Sequence, residues 1–114
     1  MSRKFFSIET FVGAGGLHLG FKKEGFHPLY VNDIDKNFLK TLTYNNKALK
    51  NGTIVDSLPI EKVNFKELRN KLKLKKKELD LIIGGPVCKG YSLAGVRDPS
   101  DSRNILYRHQ IKLI

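Results

Sequence analysis

The sequence predicts an α/β fold with a mostly parallel sheet, and three observations carry that reading. Short apolar segments alternate with helix-like segments, as in βαβ units. A glycine-rich turn, Gly13-Ala14-Gly15-Gly16, follows the first apolar segment directly. Chemistry-bearing residues (Glu9, Asp33, Asp56 and Cys88) recur just past the ends of four successive strand-like segments. If the sheet is parallel, all four line one edge, where open α/β sheets bind ligands.

Taken in order, Lys4 to Glu9 is an apolar strand-like segment, and Thr10 to Gly16 is the turn. Leu17 to Gly25 reads as a short amphipathic helix, with Leu17, Leu19 and Phe21 on its apolar side and Gly25 as its C-terminal stop. Pro28 to Asn32 is a second strand, closed by Asp33. Asp35 suits the N-cap of a helix running to about Asn46. Thr53-Ile54-Val55 is a third strand, closed by Asp56. Pro59 starts a linker into a helix near Val63 to Lys75. Leu79 to Ile83 is the fourth strand, and Gly84-Gly85-Pro86 breaks it. Residues 85–102 carry no periodicity, and a connection of that length is more often functional than idle. Arg103 to Ile114 has helical character. Four strands make half of a doubly wound domain.

Composition bounds the function classes. The chain has 114 residues, 40% of them hydrophobic, and suits one small domain. No apolar run approaches the roughly 18 residues that span a bilayer, and the first residues lack the apolar region of a signal peptide. No membrane partner is expected. The single cysteine excludes an internal disulfide and fits a reducing, cytoplasmic setting. Net charge is +10, from 21 Lys+Arg against 11 Asp+Glu, which leans toward a polyanionic partner. The densest basic run, Lys71 to Lys77, also suits a solvated helix end. His18, His27 and His109 stand without partners at metal-ligand spacing, so no metal site is expected.

The glycine turn offers close backbone approach and a helix N-terminus. A dinucleotide fingerprint requires Gly-x-Gly-x-x-Gly. Gly13 and Gly15 fit it, but His18 occupies the third glycine position, which opposes NAD or FAD. Glu9 suits a cationic ligand better than a pyrophosphate. Asp33 lies 17 residues after Gly16, near the distance of about 20 at which an acid binds ribose hydroxyls. Asp33 is therefore assigned to ribose and Asp35 to the helix cap. Position alone leaves Cys88 open between a nucleophile and a small buried hydrophobe.

These residues together resemble the DNA cytosine-5 methyltransferases. Phe5 to Leu17 is similar to the family's first motif, with its Phe-x-Gly-x-Gly-Gly core. Asn32-Asp33-Ile34-Asp35 resembles the second and Asp56 the third. Gly84-Gly85-Pro86-Val87-Cys88-Lys89-Gly90-Tyr91-Ser92 resembles the catalytic Gly-Gly-Pro-Pro-Cys-Gln-Gly-Phe-Ser loop. Asp101 to Tyr107 resembles the motif after it. The resemblance implies a Rossmann-like methyltransferase domain, N-terminal half only, that binds S-adenosylmethionine and acts on double-stranded DNA in a restriction-modification system. It implies that Phe11 and Ile34 meet adenine and that Gly13, Ala14, Gly15, Gly16 and Leu17 lie along methionine and ribose. Asp33 would hold the ribose and Asp56 the adenine amino group. Glu9, Ser57 and Leu106 complete the expected cofactor set.

The same resemblance makes Cys88 the nucleophile. A thiolate added at cytosine C6 makes C5 nucleophilic enough to accept a methyl group, and the thiolate then leaves. The target base must leave the duplex first, and a loop carrying Lys89, Tyr91, Ser92 and Arg97 would close over it. Val87 and Lys89 depart from the family's Pro and Gln. The family's Glu-Asn-Val motif and its recognition domain would follow Ile114. Residues 1–114 are therefore expected to form a partial cofactor-binding and catalytic domain, served by a complementary polypeptide or by self-association. The alternative expectation is an inactive cofactor- or DNA-binding remnant.

Overall fold

The computed structural model describes residues 4–75, 78–85 and Arg108. Its centre is a four-stranded sheet whose every pairing is parallel. The strands are β1 (Phe5–Thr10), β2 (Phe26–Asn32), β3 (Ile54–Asp56) and β4 (Leu81–Gly84). Their spatial order is β3-β2-β1-β4. The chain thus steps outward from β1 to β3, then returns to place β4 on the other side of β1. That reversal between β1 and β4 is the topological switch of doubly wound sheets, and the strand ends beside it form a natural ligand crevice.

Three α-helices connect the strands: α1 (Gly16–Lys23), α2 (Lys36–Asn45) and α3 (Phe65–Lys71). Right-handed crossovers place helices that run in opposite directions along the sheet on opposite faces. The core divides accordingly. One cluster joins Val12, Val31, Leu39, Leu42 and Leu49, on the α2 face. The other joins Ile8, Tyr30 and Leu68, with Phe65, Leu72, Leu74 and Ile82 packed against it, on the α3 face. Successive β2 residues point to opposite faces, so Val31 enters the first cluster and Tyr30 the second.

Pro28 lies inside β2 rather than at its start. The β1–β2 register slips there, with Ser7 opposite Pro28 but Ile8 opposite Tyr30. The bulge removes the ladder position at which proline's missing N–H would have been costly. Pro28 still contributes its carbonyl, which accepts from Thr53 Oγ1 at 2.8 Å.

The helix ends follow local chemistry. Asp35 caps α2 as the sequence indicates, its Oδ1 accepting from the N–H of Asn37 at 2.8 Å and of Phe38 at 3.3 Å. Gly25 follows α1 at φ +88°, and its N–H bonds to the Lys22 carbonyl. The helix expected over Val63 to Lys75 is shorter. It starts after Asn64, whose Oδ1 accepts from Glu67 N–H, and it stops at Lys71. Lys73 turns left-handed at φ +56°. The Lys73 and Leu74 N–H groups close on the Asn70 and Arg69 carbonyls. This is a Schellman ending with lysine in the usual glycine position. Leu72 and Leu74 then dip onto the core while the intervening lysine stays outside. The linker expected from Pro59 holds a short 3-10 turn, Ile60–Lys62, and another, Lys47–Lys50, follows α2. Among the described residues, no helix is long and apolar enough to cross a membrane.

Candidate functional site

Parallel pairing puts the carboxyl ends of all four strands on one edge. Thr10 pairs with Gly84 in register, and Asn32 with Asp56. Backbone bonds past the strand ends lace the segments together. Val12 N–H bonds to the Asn32 carbonyl at 3.1 Å, and Asp33 N–H to the Asp56 carbonyl at 3.2 Å.

Asp33 organises the centre of this edge. Its Oδ2 accepts from Gly13 N–H at 2.9 Å, and its Oδ1 accepts from Asp35 N–H at 2.8 Å. One carboxylate thereby fixes the glycine turn and the entry to α2 together. Each oxygen keeps a second lone pair, and Asp33 stays half-exposed. The next residue, Ile34, is 68% exposed. An aliphatic side chain held in solvent beside a carboxylate is an unpartnered apolar surface at the mouth of the site.

The glycine turn has positive φ at three positions: Phe11 at +50°, Gly13 at +59° and Gly15 at +106°. For a phenylalanine this is an outlier, and such strain, costing on the order of 1 kcal/mol, concentrates at ligand sites. Phe11 is only partly buried. Gly15 is required by space as well as by φ. A Cβ there would lie 2.5 Å from Leu42 Cδ1, so the glycine lets the turn sit directly on α2. Gly13, by contrast, opens to empty space. Gly15 also N-caps α1 without a side-chain hydrogen bond, and no acidic residue occupies the helix's first turn. Ala14, Gly16 and Leu17 are exposed.

Asp56 closes the edge on the β3 side. Its Oδ2 accepts from the Tyr30 hydroxyl at 2.6 Å, and its Oδ1 from Leu58 N–H at 3.0 Å. Ser57 beside it is half-buried. The sequence motifs do not single out Tyr30. The available signal was a tyrosine in a central strand, whose buried hydroxyl must find a partner.

Glu9 and His18 differ from expectation. Glu9 is 2% exposed and turned inward, and His18, expected to stand without a partner, is also 2% exposed. Glu9 Oε2 and His18 Nδ1 lie 2.9 Å apart. The reason is geometric. The turn folds α1 back over the end of β1, which brings a residue of the first helical turn against the last inward acid of the strand. The leucines flanking His18 are consequently pushed out, Leu17 to 56% and Leu19 to 46% exposure. Among the described residues, Glu9 Oε1 and His18 Nε2 have no hydrogen-bond partner.

Cys88, Lys89, Tyr91, Ser92, Arg97 and Leu106 lie outside the described residues. The described part of β4 leads to Gly84 and an exposed Gly85 on the same edge. Among the described residues, no group of three or more His, Cys, Asp or Glu is placed to hold a metal ion.

A parallel sheet with this strand order, a glycine turn and two strand-end acids defines a doubly wound α/β domain. Comparison with known proteins narrows the class. The C-5 cytosine-specific DNA methylase family model matches residues 5–114, and the chain belongs to that family. It is 38% identical over 101 residues to Type II methyltransferase M.AgeI of Thalassovita gelatinovora, covering 89% of this chain and 23% of that protein. It is 37% identical over 107 residues to M.XorII of Xanthomonas oryzae pv. oryzae, covering 94% of this chain and 24% of that protein. The chain thus spans about a quarter of the length of these curated relatives. A solved structure described as a DNA modification methyltransferase encoded within an E. coli prophage superposes with a TM-score of 0.75 at 30% identity, covering 96% of this chain and 28% of that one. Spodoptera frugiperda DNMT2 shares the fold, with a TM-score of 0.65 at 19% identity, over 96% of this chain and 31% of its own.

Proposed function

We propose that this chain supplies the S-adenosylmethionine-binding half and the cysteine nucleophile for methylation of cytosine C5 in double-stranded DNA. The observation that carries the reading is the Asp33 carboxylate, which ties Gly13 of the turn to the start of α2 inside a chain of this family.

The residues present fit an adenosyl cofactor. Asp33 retains acceptor capacity toward a pair of ribose hydroxyls, and Asp56 toward an exocyclic amine. Ile34 and Phe11 offer apolar surface to a purine ring. Gly13, with open space where a Cβ would sit, admits close approach along the backbone, with Ala14, Gly16 and Leu17 exposed beside it. Glu9, engaged with His18, supports the turn from within. Ser57 and Leu106 are proposed to complete the pocket. When bound, S-adenosylmethionine supplies an electrophilic methyl group.

Cys88 follows the last residue of β4 by four positions in the chain. As a thiolate it forms a bond to C6 of a flipped cytosine, and the electron pair of the C5–C6 double bond becomes available at C5. After C5 has gained the methyl group, loss of the C5 proton restores the double bond and expels the thiolate. Lys89, next to Cys88 in the sequence, would supply a cation that favours the thiolate, and Tyr91, Ser92 and Arg97 are proposed to contact the base or its strand. The activity is proposed for the assembly in which these residues meet a Glu-Asn-Val motif and a recognition domain, on the same or a complementary polypeptide.

The test is methyl transfer to DNA by that assembly, with a trap containing 5-fluorocytosine. The blocked C5 proton loss should leave a covalent protein–DNA adduct, and Cys88→Ser should abolish both adduct and transfer. Normal methylation by Cys88→Ser would overturn the nucleophile assignment.

A further inference from the structure

A core hydrophobe would fill the space of Tyr30, which is 1% exposed among Ile8 and Leu68. Its hydroxyl is the part that needs a reason. It donates to Asp56 Oδ2 at 2.6 Å, the length of a charge-assisted O–H···O bond. Asn32, two residues on and so on the same face of the sheet, donates to that hydroxyl at 3.2 Å. The same amide reaches the Asp56 carbonyl at 3.2 Å and the Leu58 carbonyl at 2.9 Å. An ionised carboxylate has no proton to give, so the phenol's one proton points at Asp56 Oδ2, while the two Asn32 amide protons are shared between the hydroxyl and the two carbonyls. Leu58 N–H holds the other carboxylate oxygen. Burial first, then the hydrogen bond and charge of Asp56, drive Tyr30 ionisation far above its ordinary 10.0. The hydroxyl therefore remains a donor at working pH.

We infer that Tyr30, seated by Asn32, is a positioning residue that aims the Asp56 carboxylate at the 6-amino group of the cofactor's purine, and so sets a preference for adenosyl over inosyl ligands. The inference rests on the reading of Asp56 as the adenine acceptor. Adenine presents an N–H donor at C6, whereas hypoxanthine presents a carbonyl there, which a carboxylate repels. Discrimination between them depends on where the carboxylate is held. Two of its lone pairs are committed to Tyr30 and Leu58, and the others are available to a ligand. Without the hydroxyl, the Leu58 N–H is the one hydrogen bond among the described residues that restrains rotation of the carboxylate.

The experiment is calorimetric titration of the wild-type protein, Tyr30→Phe and Asp56→Asn with S-adenosylhomocysteine and with S-inosylhomocysteine. Wild type should favour the adenosyl compound by about tenfold or more, the effect of one hydrogen bond to a charged group. Asp56→Asn should erase that ratio, and Tyr30→Phe should shrink it severalfold. Phenylalanine keeps the ring volume and leaves Asn32 its two carbonyl acceptors, so the variant orphans no buried amide. A hydroxyl with a merely structural role would alter stability and leave the ratio unchanged. If Asp56→Asn loses the ratio while Tyr30→Phe keeps it, the Tyr30 inference is wrong and the Asp56 reading stands. If wild type shows no preference, or Asp56→Asn retains it, the Asp56 reading fails and the inference falls with it. Should Tyr30→Phe not fold, NMR of tyrosine-labelled wild-type protein decides. The Tyr30 hydroxyl proton should shift on adding S-adenosylhomocysteine, and an unmoved signal overturns the inference.

Discussion

Substituting Gly15 by alanine should damage the fold more than the same change at any other glycine of the turn. Two costs coincide there. The backbone sits at φ +106°, beyond the left-handed region that L-residues tolerate, which costs about 1–2 kcal/mol. The added Cβ lies 2.5 Å from Leu42 Cδ1, and Leu42 is 0% exposed, so the leucine must shift within the core to make room. Overpacking of this kind costs about 1–3 kcal/mol. The sum, about 3 kcal/mol, corresponds to a melting temperature lowered by roughly 12 °C at about 4 °C per kcal/mol. Gly13→Ala carries only the strain of φ +59°, with nothing within 4 Å, and should cost about 1 kcal/mol. Gly20, inside α1 with no atom within 4 Å, should gain about 0.5–1 kcal/mol on becoming alanine. Denaturant unfolding of the three variants supplies the comparison. If Gly15→Ala and Gly13→Ala are equally destabilised, the packing of the turn on Leu42 is wrong.

Other consequences are measurable by the same unfolding assay. Glu9→Ala should cost about 3 kcal/mol, because it leaves His18 buried without its partner, while Glu9→Gln should cost markedly less; equal losses would argue against the pair. Lys73→Gly should stabilise by about 1 kcal/mol by relieving the left-handed lysine after α3, and a loss on this change would contradict the helix ending. Tyr30 bears on alkaline stability. Its folded ionisation lies above the ordinary 10.0, so above pH 10 the unfolded chain releases a proton that the folded chain keeps. Stability should therefore fall with rising pH in that range by up to about 1.4 kcal/mol per pH unit from this group. Tyr30→Phe should show a correspondingly shallower alkaline limb, and identical limbs would remove Tyr30 as the cause.

Much of this arrangement is legible in the chain itself. Strand and helix alternation gives the parallel sheet, and strand-end acids locate the edge, because both depend on local pattern and on chirality rules for crossovers. Asp35 reads as a cap because its chemistry is local. What the sequence conceals is long-range. The apparent leucine face of α1 is exposed, because His18 turns inward to meet Glu9 across the turn. Periodicity on one element carries no information about a buried acid on another. The shortened α3 has a local cause that helix propensity hides. The alternation Lys71-Leu72-Lys73-Leu74-Lys75 was a sign that helical period had already been lost. Tyr30 looks like core filler until β3 places Asp56 opposite Asn32.

The carboxyl edge of the sheet, built on Gly13, Asp33 and Asp56, is proposed to take an adenosyl cofactor. Backbone amide NMR during titration with S-adenosylhomocysteine tests it most directly. Signals of Gly13, Gly15, Ile34 and Ser57 should move together and saturate, while Phe5 and Phe26 at the opposite ends of their strands stay fixed. NAD at the same concentrations should move none of them. Shifts confined to the Phe5–Phe26 end, or an equal response to NAD, would contradict the claim.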